Sequence, residues 1–541
     1  MHVMSFILAM VVTMLALPVL ARIAGILGVL DQPGGRKVHS APIPRVGGLA
    51  MALGVLAAAL LTLHLQAPDR WFLAATMVLV GFGAWDDRVD LDYRIKFAGQ
   101  LLAVAVAVIW GDVRIRTITL DDSILLPDWV SLPLTVIFLV GITNAVNLAD
   151  GLDGLAGGTT FLSLCAIALL SSATAGGVEA ALPLVFAGAV LGFLRFNTYP
   201  ASVFMGDAGS QLLGFSLGVL SIRATQNEAT QVSAAIPLLL LALPIVDTLI
   251  VMVRRIIEKR SPFSADKNHI HHKLLGLGFA HHEAVMVIYA VQGTLFVAAY
   301  FLRFESDLLI LAVVSAFFAA TAGTLRLAAN SGWRLRPAGS VAERLYSASR
   351  IRVLPTLTKT ALGAALALYA ALVVAETSRL SGDIRLLVGG LLAAIVGFMA
   401  VMRKAPLGLA EKSALFVTAT VLVYLEAAET HPDPILARVS WICVGVAALA
   451  TAIRLRLLND RRFQVTPLDL IILFMALVVP NLPGTLTLPN GGSGGIAKLI
   501  VILYSIEVLV SRADGRAVWF RIAAAAVLAG LTVRSLMIGI S

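Results

Sequence analysis

The chain has 541 residues, 59% of them hydrophobic and 13% charged, with a mean hydropathy of +0.91, which is far more apolar than a water-soluble globular domain sustains. Its formal net charge of +9 does not point to nucleic acid, because Lys and Arg gather in alternate loops, as they do in membrane proteins with a basic cytoplasmic side. The two cysteines, Cys165 and Cys443, lie far apart in apolar segments and exclude a disulfide framework and a thiolate metal site.

Apolar stretches of about 17–22 residues recur along the whole length, each long enough to cross a hydrocarbon core as a helix. Alternating strand patterns are scarce, so the fold class is all-α, a polytopic integral membrane protein of about 18 transmembrane helices, about 11 in a first part and about 7 beyond it. Residues 1–21 read as the first of these helices and not as a removed leader, since no Lys or Arg precedes the apolar run. With that end outside, about 31 of the 41 basic residues fall on the cytoplasmic side. The inside loops then include 36–45, 86–96, 147–158, 195–209 and 254–283, and nearly all unusual polar residues lie in them. The one long external connection, 111–130, roughly alternates over 113–120 before Asp-Asp-Ser, a pattern compatible with a small structural hairpin.

Residues 1–327 are expected to form one polytopic core. Residues 328–355 read as a basic cytoplasmic linker near anionic lipid, with Arg334, Arg336, Arg344, Arg350 and Arg352. Residues 356–541 add further spans of unassigned role, joined by short loops without a cluster of carboxylates, amides or histidines, and no second active site is expected there.

Within the core, Asp86 and Asp87 sit where the apolar stretch 72–85 meets water, followed by Asp90, Asp92, Arg94 and Lys96. Hard oxygen ligands of this kind suit Mg²⁺, although acidic residues also serve as ordinary helix caps. In the segment 141–158, Asn144, Asn147, Asp150 and Asp153 are spaced by three, which on a helix makes one polar stripe descending from the membrane edge. Such residues are costly in an apolar span and normally mark a functional path. Phe204-Met-Gly-Asp-Ala-Gly-Ser210 presents Asp207 between glycines, with room for a bulky anion and a metal gripping a diphosphate. Asp247 lies in an apolar span about two turns before Arg254 and Arg255, where an ion pair with an arginine and a ligand role are both open. His269, His271 and His272 form a further cluster, able to hydrogen-bond phosphate or sugar oxygens.

Taken in order, these residues resemble the bacterial polyprenyl-phosphate N-acetylhexosamine-1-phosphate transferases, relatives of the phospho-N-acetylmuramoyl-pentapeptide transferase. The resemblance covers about residues 1–327 and rests on five motifs: Arg36-Lys-Val-His-Ser with Pro44-Arg-Val-Gly-Gly48, Trp85-Asp-Asp87, Asn147-Leu-Ala-Asp-Gly-Leu-Asp-Gly154, Phe204 to Ser210, and His269-Ile-His-His-Lys273.

The resemblance implies that Asp207 and Asp87 coordinate Mg²⁺, for which Mn²⁺ is an admissible substitute. It also implies that Asp86 and Asp87 hold the metal or orient the lipid phosphate. Asn147, Asp150 and Asp153 would line the nucleotide and diphosphate site, Phe204 would lie against the uracil, and His269, His271 and His272 would close over phosphates or sugar. Lys37, Arg45 and Lys96 would add positive charge. The implied partners are a UDP-N-acetylhexosamine, with UDP-GlcNAc expected, undecaprenyl phosphate and membrane lipid, with no nucleic acid; a homodimer is compatible. The implied place is the cytoplasmic face of the bacterial inner membrane, and the product would start a cell-envelope polysaccharide such as lipopolysaccharide or O-antigen. The peptidoglycan-branch transferase and a transporter or lipid flippase are the rival readings. A transporter has no need of five polar motifs on one face.

Overall fold

The structure is a computed structural model. It describes residues 2–32, 42–119, 123–174, 177–226, 232–259, 269–331, 354–376, 407–428 and 434–457, together with scattered positions between 393 and 533. Contacts divide the chain into two compact units, one of Met1–Pro337 with Thr466–Ile471, the other of Ala338–Val465 with Ile472–Ser541.

The described residues of the first unit are mostly helical. Its helices are α1 (His2–Leu27), α2 (Gly47–Thr62), α3 (Ala67–Val89), α4 (Tyr93–Ile109), α5 (Asp128–Ala149), α6 (Leu155–Thr174) and α7 (Gly177–Asn197). They continue with α8 (Gly206–Thr225), the short α9 (Ile236–Leu240), α10 (Ala242–Ile257), the short α11 (Ile270–Gly276), α12 (His281–Phe301) and α13 (Asp307–Asn330). Six of its helices are long and apolar enough to cross a membrane, α1, α5, α6, α7, α12 and α13. The chain is thus a multi-pass membrane protein, as its hydropathy requires. The expected total of about 18 spans includes stretches outside the described residues.

Two small antiparallel ladders interrupt the helices. Strands β1 (Leu30–Asp31) and β2 (Ile43–Pro44) pair Leu30 with Pro44 and bring the Pro44–Gly48 motif to the end of α1. Strands β3 (Thr117–Thr119) and β4 (Ser123–Leu125) form the small hairpin compatible with the alternation in 113–120. The hairpin is pinned by the Gln226 side-chain carbonyl, which accepts from the amides of Arg116 at 2.8 Å and Thr117 at 2.9 Å.

Helix α8 is the centre of this unit. It is buried on every face, with α3 and α5 along its sides and α2 across its start. A helix apolar all round belongs inside a bundle. Small residues let its neighbours approach. A Cβ on Gly48 would lie 2.1 Å from the amide nitrogen of Gly209, and one on Gly83 would lie 2.5 Å from Ala208. The glycines of the Pro44–Gly48 motif therefore bring the start of α2 against the start of α8.

The second unit contains α14 (Leu354–Glu376), α15 (Leu407–Ala428) and α16 (Pro434–Leu457). Helix α14 meets the membrane-crossing criterion, and α15 and α16 contain shorter apolar stretches. Leu362, Ala365, Ala447, Ala450 and Val508 form an apolar core. The linker arginines Arg334, Arg336, Arg344, Arg350 and Arg352 lie outside the described residues.

Candidate active site

The apolar stretch of α3 ends at Trp85, so Asp86 and Asp87 occupy its last turn, where the backbone turns left-handed at Asp90. Asp86 is buried and accepts from the amide of Leu91 at 2.7 Å through Oδ1, while its Oδ2 lies 2.5 Å from the Lys96 ammonium. Lys96 stands on the first turns of α4, which Asp92 caps by accepting from the Arg94 amide. The same ammonium reaches Asp207 Oδ2 at 3.4 Å.

Asp87 makes a different arrangement. Its two oxygens accept from the amides of Asp207 at 2.9 Å and Ala208 at 3.1 Å, so it caps α8 from another helix. Gly206 carries φ of +71°, a conformation a side chain resists, and a Cβ there would lie 2.4 Å from Asp87 Oδ2. The glycine before Asp207 thus permits both the turn and the approach of the carboxylate. Asn147, in the last turn of α5, completes the set by donating to Asp207 Oδ1 at 2.8 Å and to Ser210 Oγ at 2.7 Å.

Three carboxylates and one lysine therefore meet at the ends of α3, α4 and α8. Burial pushes the Asp86 carboxyl up to about 6, helped by a hydrogen bond with Asp207 and opposed by Lys96. Burial also acts on Asp207, but the hydrogen bonds from Asp86, Asn147 and Lys96 outweigh it and hold that carboxyl below its usual range. Of the two, Asp86 therefore takes up a proton first as pH falls, and Asp207 holds its charge. Asp87 is pushed up to about 7, mainly by burial, against its two amide donors.

The polar stripe expected through 144–153 is broken. Helix α5 ends at Ala149, so Asn144 and Asn147 share its face while Asp150 and Asp153 lie in the following loop. The reason is local: Gly151 and Gly154 flank the turn, Gly154 has φ of +81°, and the loop finds side-chain partners that replace helical bonds. The amide of Gly154 donates to Asn197 at 2.9 Å, and its carbonyl accepts from Tyr289 at 2.5 Å. Asp153 is absorbed into this scaffold, accepting from the amide of Ala201 at 2.9 Å. Asp150 keeps an open side chain although protein atoms crowd around it. That crowding, with the charges of Asp207, Asp153 and Asp87, pushes its carboxyl up to about 7.

The histidines close on this loop. His271 is buried, and its Nε2 fills the space where a Cβ on Gly151 would lie, 2.2 Å away. Its ring lies 5.8 Å from that of His269, nearly parallel, and 4.3 Å from that of His272. Burial, then the neighbouring His272, lowers His271 to about 4, so it is neutral at pH 7. Asp247 does not pair with Arg254, whose guanidinium bonds Glu258 at 2.7 Å; its carboxylate instead meets His269 Nδ1 at 2.8 Å.

The remaining expected residues divide. The Phe204 backbone ties the Pro44–Gly48 motif to the Asp207 loop, its amide donating to Pro44 at 2.8 Å and its carbonyl accepting from Gly47 at 3.0 Å. Arg45 forms an ion pair with Asp31 and lies close enough to Asp87 to favour its charged form. Lys37 lies outside the described residues.

Residues 70–225 match the family described as Glycosyl transferase family 4. The chain is 37% identical over 293 residues to a Bacillus subtilis (strain 168) protein named probable undecaprenyl-phosphate N-acetylglucosaminyl 1-phosphate transferase, covering 53% of this chain and 81% of the relative. It is 38% identical over 322 residues to the decaprenyl-phosphate N-acetylglucosaminephosphotransferase of Mycobacterium tuberculosis (strain CDC 1551 / Oshkosh), covering 53% and 78%. The undecaprenyl-phosphate alpha-N-acetylglucosaminyl 1-phosphate transferase of Escherichia coli (strain K12) is 30% identical over 275 residues, covering 49% and 74%.

The chain belongs to glycosyl transferase family 4.

The stretch matched to the family runs from α3 to the end of α8 and holds Asp86, Asp87, Lys96, Asn147, Asp150, Asp153 and Asp207. Sequence reasoning passed over the residues that hold these acids in place. Gln100 pairs with Asn144, which donates to it at 2.8 Å; Asn197 and Tyr289 fasten Gly154. Their signal was present, as lone polar side chains in apolar helices.

Proposed function

We propose that the chain transfers N-acetylglucosamine-1-phosphate from UDP-N-acetylglucosamine to undecaprenyl phosphate, releasing UMP and leaving the sugar on a lipid diphosphate that starts a cell-envelope polysaccharide. The observation that carries this reading is the meeting of Asp86, Asp87, Asp207, Asn147 and Lys96 where apolar helices end, so that a lipid phosphate and a water-borne nucleotide can reach one place. The printed names of the relatives supply the donor sugar and the lipid acceptor. The basic loops support a cytoplasmic site in a bacterial inner membrane.

In this reading an oxygen of the lipid phosphate attacks the phosphorus bearing the sugar, a new P–O bond forms, and the bond to UMP breaks. The lipid phosphate is already ionised near pH 7 and needs no strong base. Lys96 neutralises charge beside Asp207, and Asn147 and Asp87 fix that carboxylate from two sides.

The acids fit Mg²⁺. Among the described residues no group of three His, Cys, Asp or Glu side chains closes a metal site alone. Mg²⁺ commonly takes only one or two carboxylates and completes its shell with substrate phosphates and water. Asp86 and Asp207 form such a carboxylate pair, and Asp87 retains one lone pair on each oxygen beside them. When bound, the ion would supply neutralisation of the diphosphate charge.

The test is to incubate purified protein with Mg²⁺, undecaprenyl phosphate and a panel of UDP-sugars, following UMP and labelled lipid. The expected result is a lipid-linked sugar diphosphate with UDP-GlcNAc, removed by chelator and reduced at least about 10³-fold by Asp207→Ala. Absence of turnover with every UDP-sugar, in protein that melts cooperatively, would overturn the reading.

A further inference from the structure

Helix α11 begins without help from its own first residues. Its N-cap, His269, has extended backbone and makes no side-chain cap. The amide of Ile270 instead donates at 2.7 Å to Asp247 Oδ1, a carboxylate brought from α10. The other oxygen of that carboxylate, Oδ2, lies 2.8 Å from His269 Nδ1. Asp247 and His269 are 4% and 5% exposed, so both contacts are sheltered from competing water.

This geometry dictates a proton position. A carboxylate only accepts, so the nitrogen facing it carries the hydrogen. The backbone amide fixes one oxygen and thereby fixes the plane in which the other meets the ring. With Nδ1 carrying the hydrogen, Nε2, on the far side of the imidazole from Asp247, keeps its lone pair and is the ring nitrogen left to accept a hydrogen bond. The His269 ring is stacked beside His271, and His271 packs on Gly151, between Asp150 and the scaffold of Asp153. The carboxylate thus sets the facing of the histidine segment that abuts the acidic loop.

We propose that Asp247 is a positioning residue, fixing the tautomer and orientation of His269 so that the Nε2 lone pair is directed to accept from a sugar hydroxyl of the donor. The role rests on the transferase reading. Asp247 touches no substrate and acts through His269.

Asp247→Asn separates the two duties of the carboxylate. An amide has one acceptor oxygen for two donors. The Ile270 N–H belongs to the backbone and cannot turn, so the oxygen goes to it and the NH₂ faces the ring. Nδ1 must then present its lone pair, and the proton moves to Nε2. Helix α11 keeps its cap while His269 holds the wrong tautomer.

The first arm measures kcat and KM for UDP-GlcNAc in wild type, Asp247→Asn, His269→Ala and the double variant. Asp247→Asn is expected to lower kcat about 10–10²-fold, and the double variant to fall within about threefold of His269→Ala, because one path has been cut twice. A double variant lower by the product of the two single losses would overturn the proposal. The second arm needs no turnover: ¹⁵N-histidine NMR of the full chain, with the His269 signal assigned by its loss in His269→Ala. Protonated Nδ1 in wild type and protonated Nε2 in Asp247→Asn are expected; the same tautomer in both overturns the proposal. Should wild type transfer no sugar, the transferase reading fails by itself, and the spectrum still decides whether Asp247 sets the histidine.

Discussion

Two lysines, each set against carboxylate, show how differently an apolar protein can use the same charge. In the first unit Lys96 faces both Asp86 and Asp207, with Asp87 bonded to the same helix start, so acids outnumber the cation and the Asp86 carboxyl is pushed up. In the second unit Lys498 pairs with Glu426, donates to Ser440 at 3.0 Å and lies over the Trp441 ring at 4.6 Å. Glu426 also accepts from Ser440 at 2.6 Å and from Tyr369 at 2.8 Å. One negative charge meets one positive charge, and the hydroxyls fill the carboxylate's remaining directions. The first cluster is electrostatically incomplete and suits a passing cation or diphosphate; the second is balanced and suits a fixed join between helices α14, α15 and α16.

Matched substitutions sharpen that contrast. Lys498→Ala leaves the Glu426 carboxylate, with only 11% of its side chain exposed, without its cation, and is expected to destabilise the protein by about 3–5 kcal/mol. Replacing both partners, Glu426→Gln with Lys498→Met, should recover most of the melting temperature, since the deficit comes from the stranded charge. Lys96→Ala should do the reverse, leaving the melting temperature within a few degrees while lowering kcat/KM about 10²-fold. Equal stability losses at both lysines, read by thermal melts in detergent, would erase the distinction.

Backbone spacing extends it. Gly48→Ala places a methyl group 2.1 Å from the Gly209 amide, where only movement of α2 away from α8 can relieve the clash. We expect a loss of about 1–3 kcal/mol. Turnover should fall as well, because Gly47 and Gly48 bond the Phe204 and Met205 carbonyls just before Asp207. Gly363→Ala in α14 meets nothing within 4 Å and should be neutral or stabilising by up to about 1 kcal/mol. A melt in which the two glycines behave alike would remove packing at α2 and α8 as the explanation.

The same contrast separates what was legible in the sequence from what was not. Hydropathy gave the all-α membrane class, because a bilayer admits few alternatives to helices for such long apolar runs. The acids near 86, 150 and 207 stood out because polar residues clustered in an apolar chain are expensive. Their geometry was less accessible. The spacing by three in 144–153 suggested a continuous helix, but partners from Asn197 and Tyr289 stabilise a turn that local periodicity cannot report. Asp247 could be placed near arginines by counting residues, whereas its bond to His269 requires the fold of α10 against α11. The join of Glu426 and Lys498 was hidden for the same reason: the two are 72 residues apart, each alone in its own segment.

The smallest effect is a dependence on pH, and it follows from the unbalanced cluster alone. Asp86 rises to about 6 and Asp87 and Asp150 to about 7, all above the 3.8 of an unperturbed carboxyl. The folded, metal-free state therefore holds more protons than the unfolded chain between about pH 4 and 7, and its stability falls as pH rises through that window. His271 works in the opposite sense: its pKa drops from 6.5 to about 4, so its penalty is greatest in acid and vanishes above 6.5. A difference measurement isolates Asp87. Asp87→Asn also disturbs the cap on α8, but that offset does not vary with pH. Subtracting the melting curve of this variant from wild type should leave a decline on the order of 2–4 °C from pH 5 to 8. Mg²⁺ should restore more of it at pH 8 than at pH 5, where protons compete for the same oxygens. A difference curve that is flat, or that rises with pH, would mean that Asp87 is not held against its charge and that the cluster is as balanced as the one around Lys498.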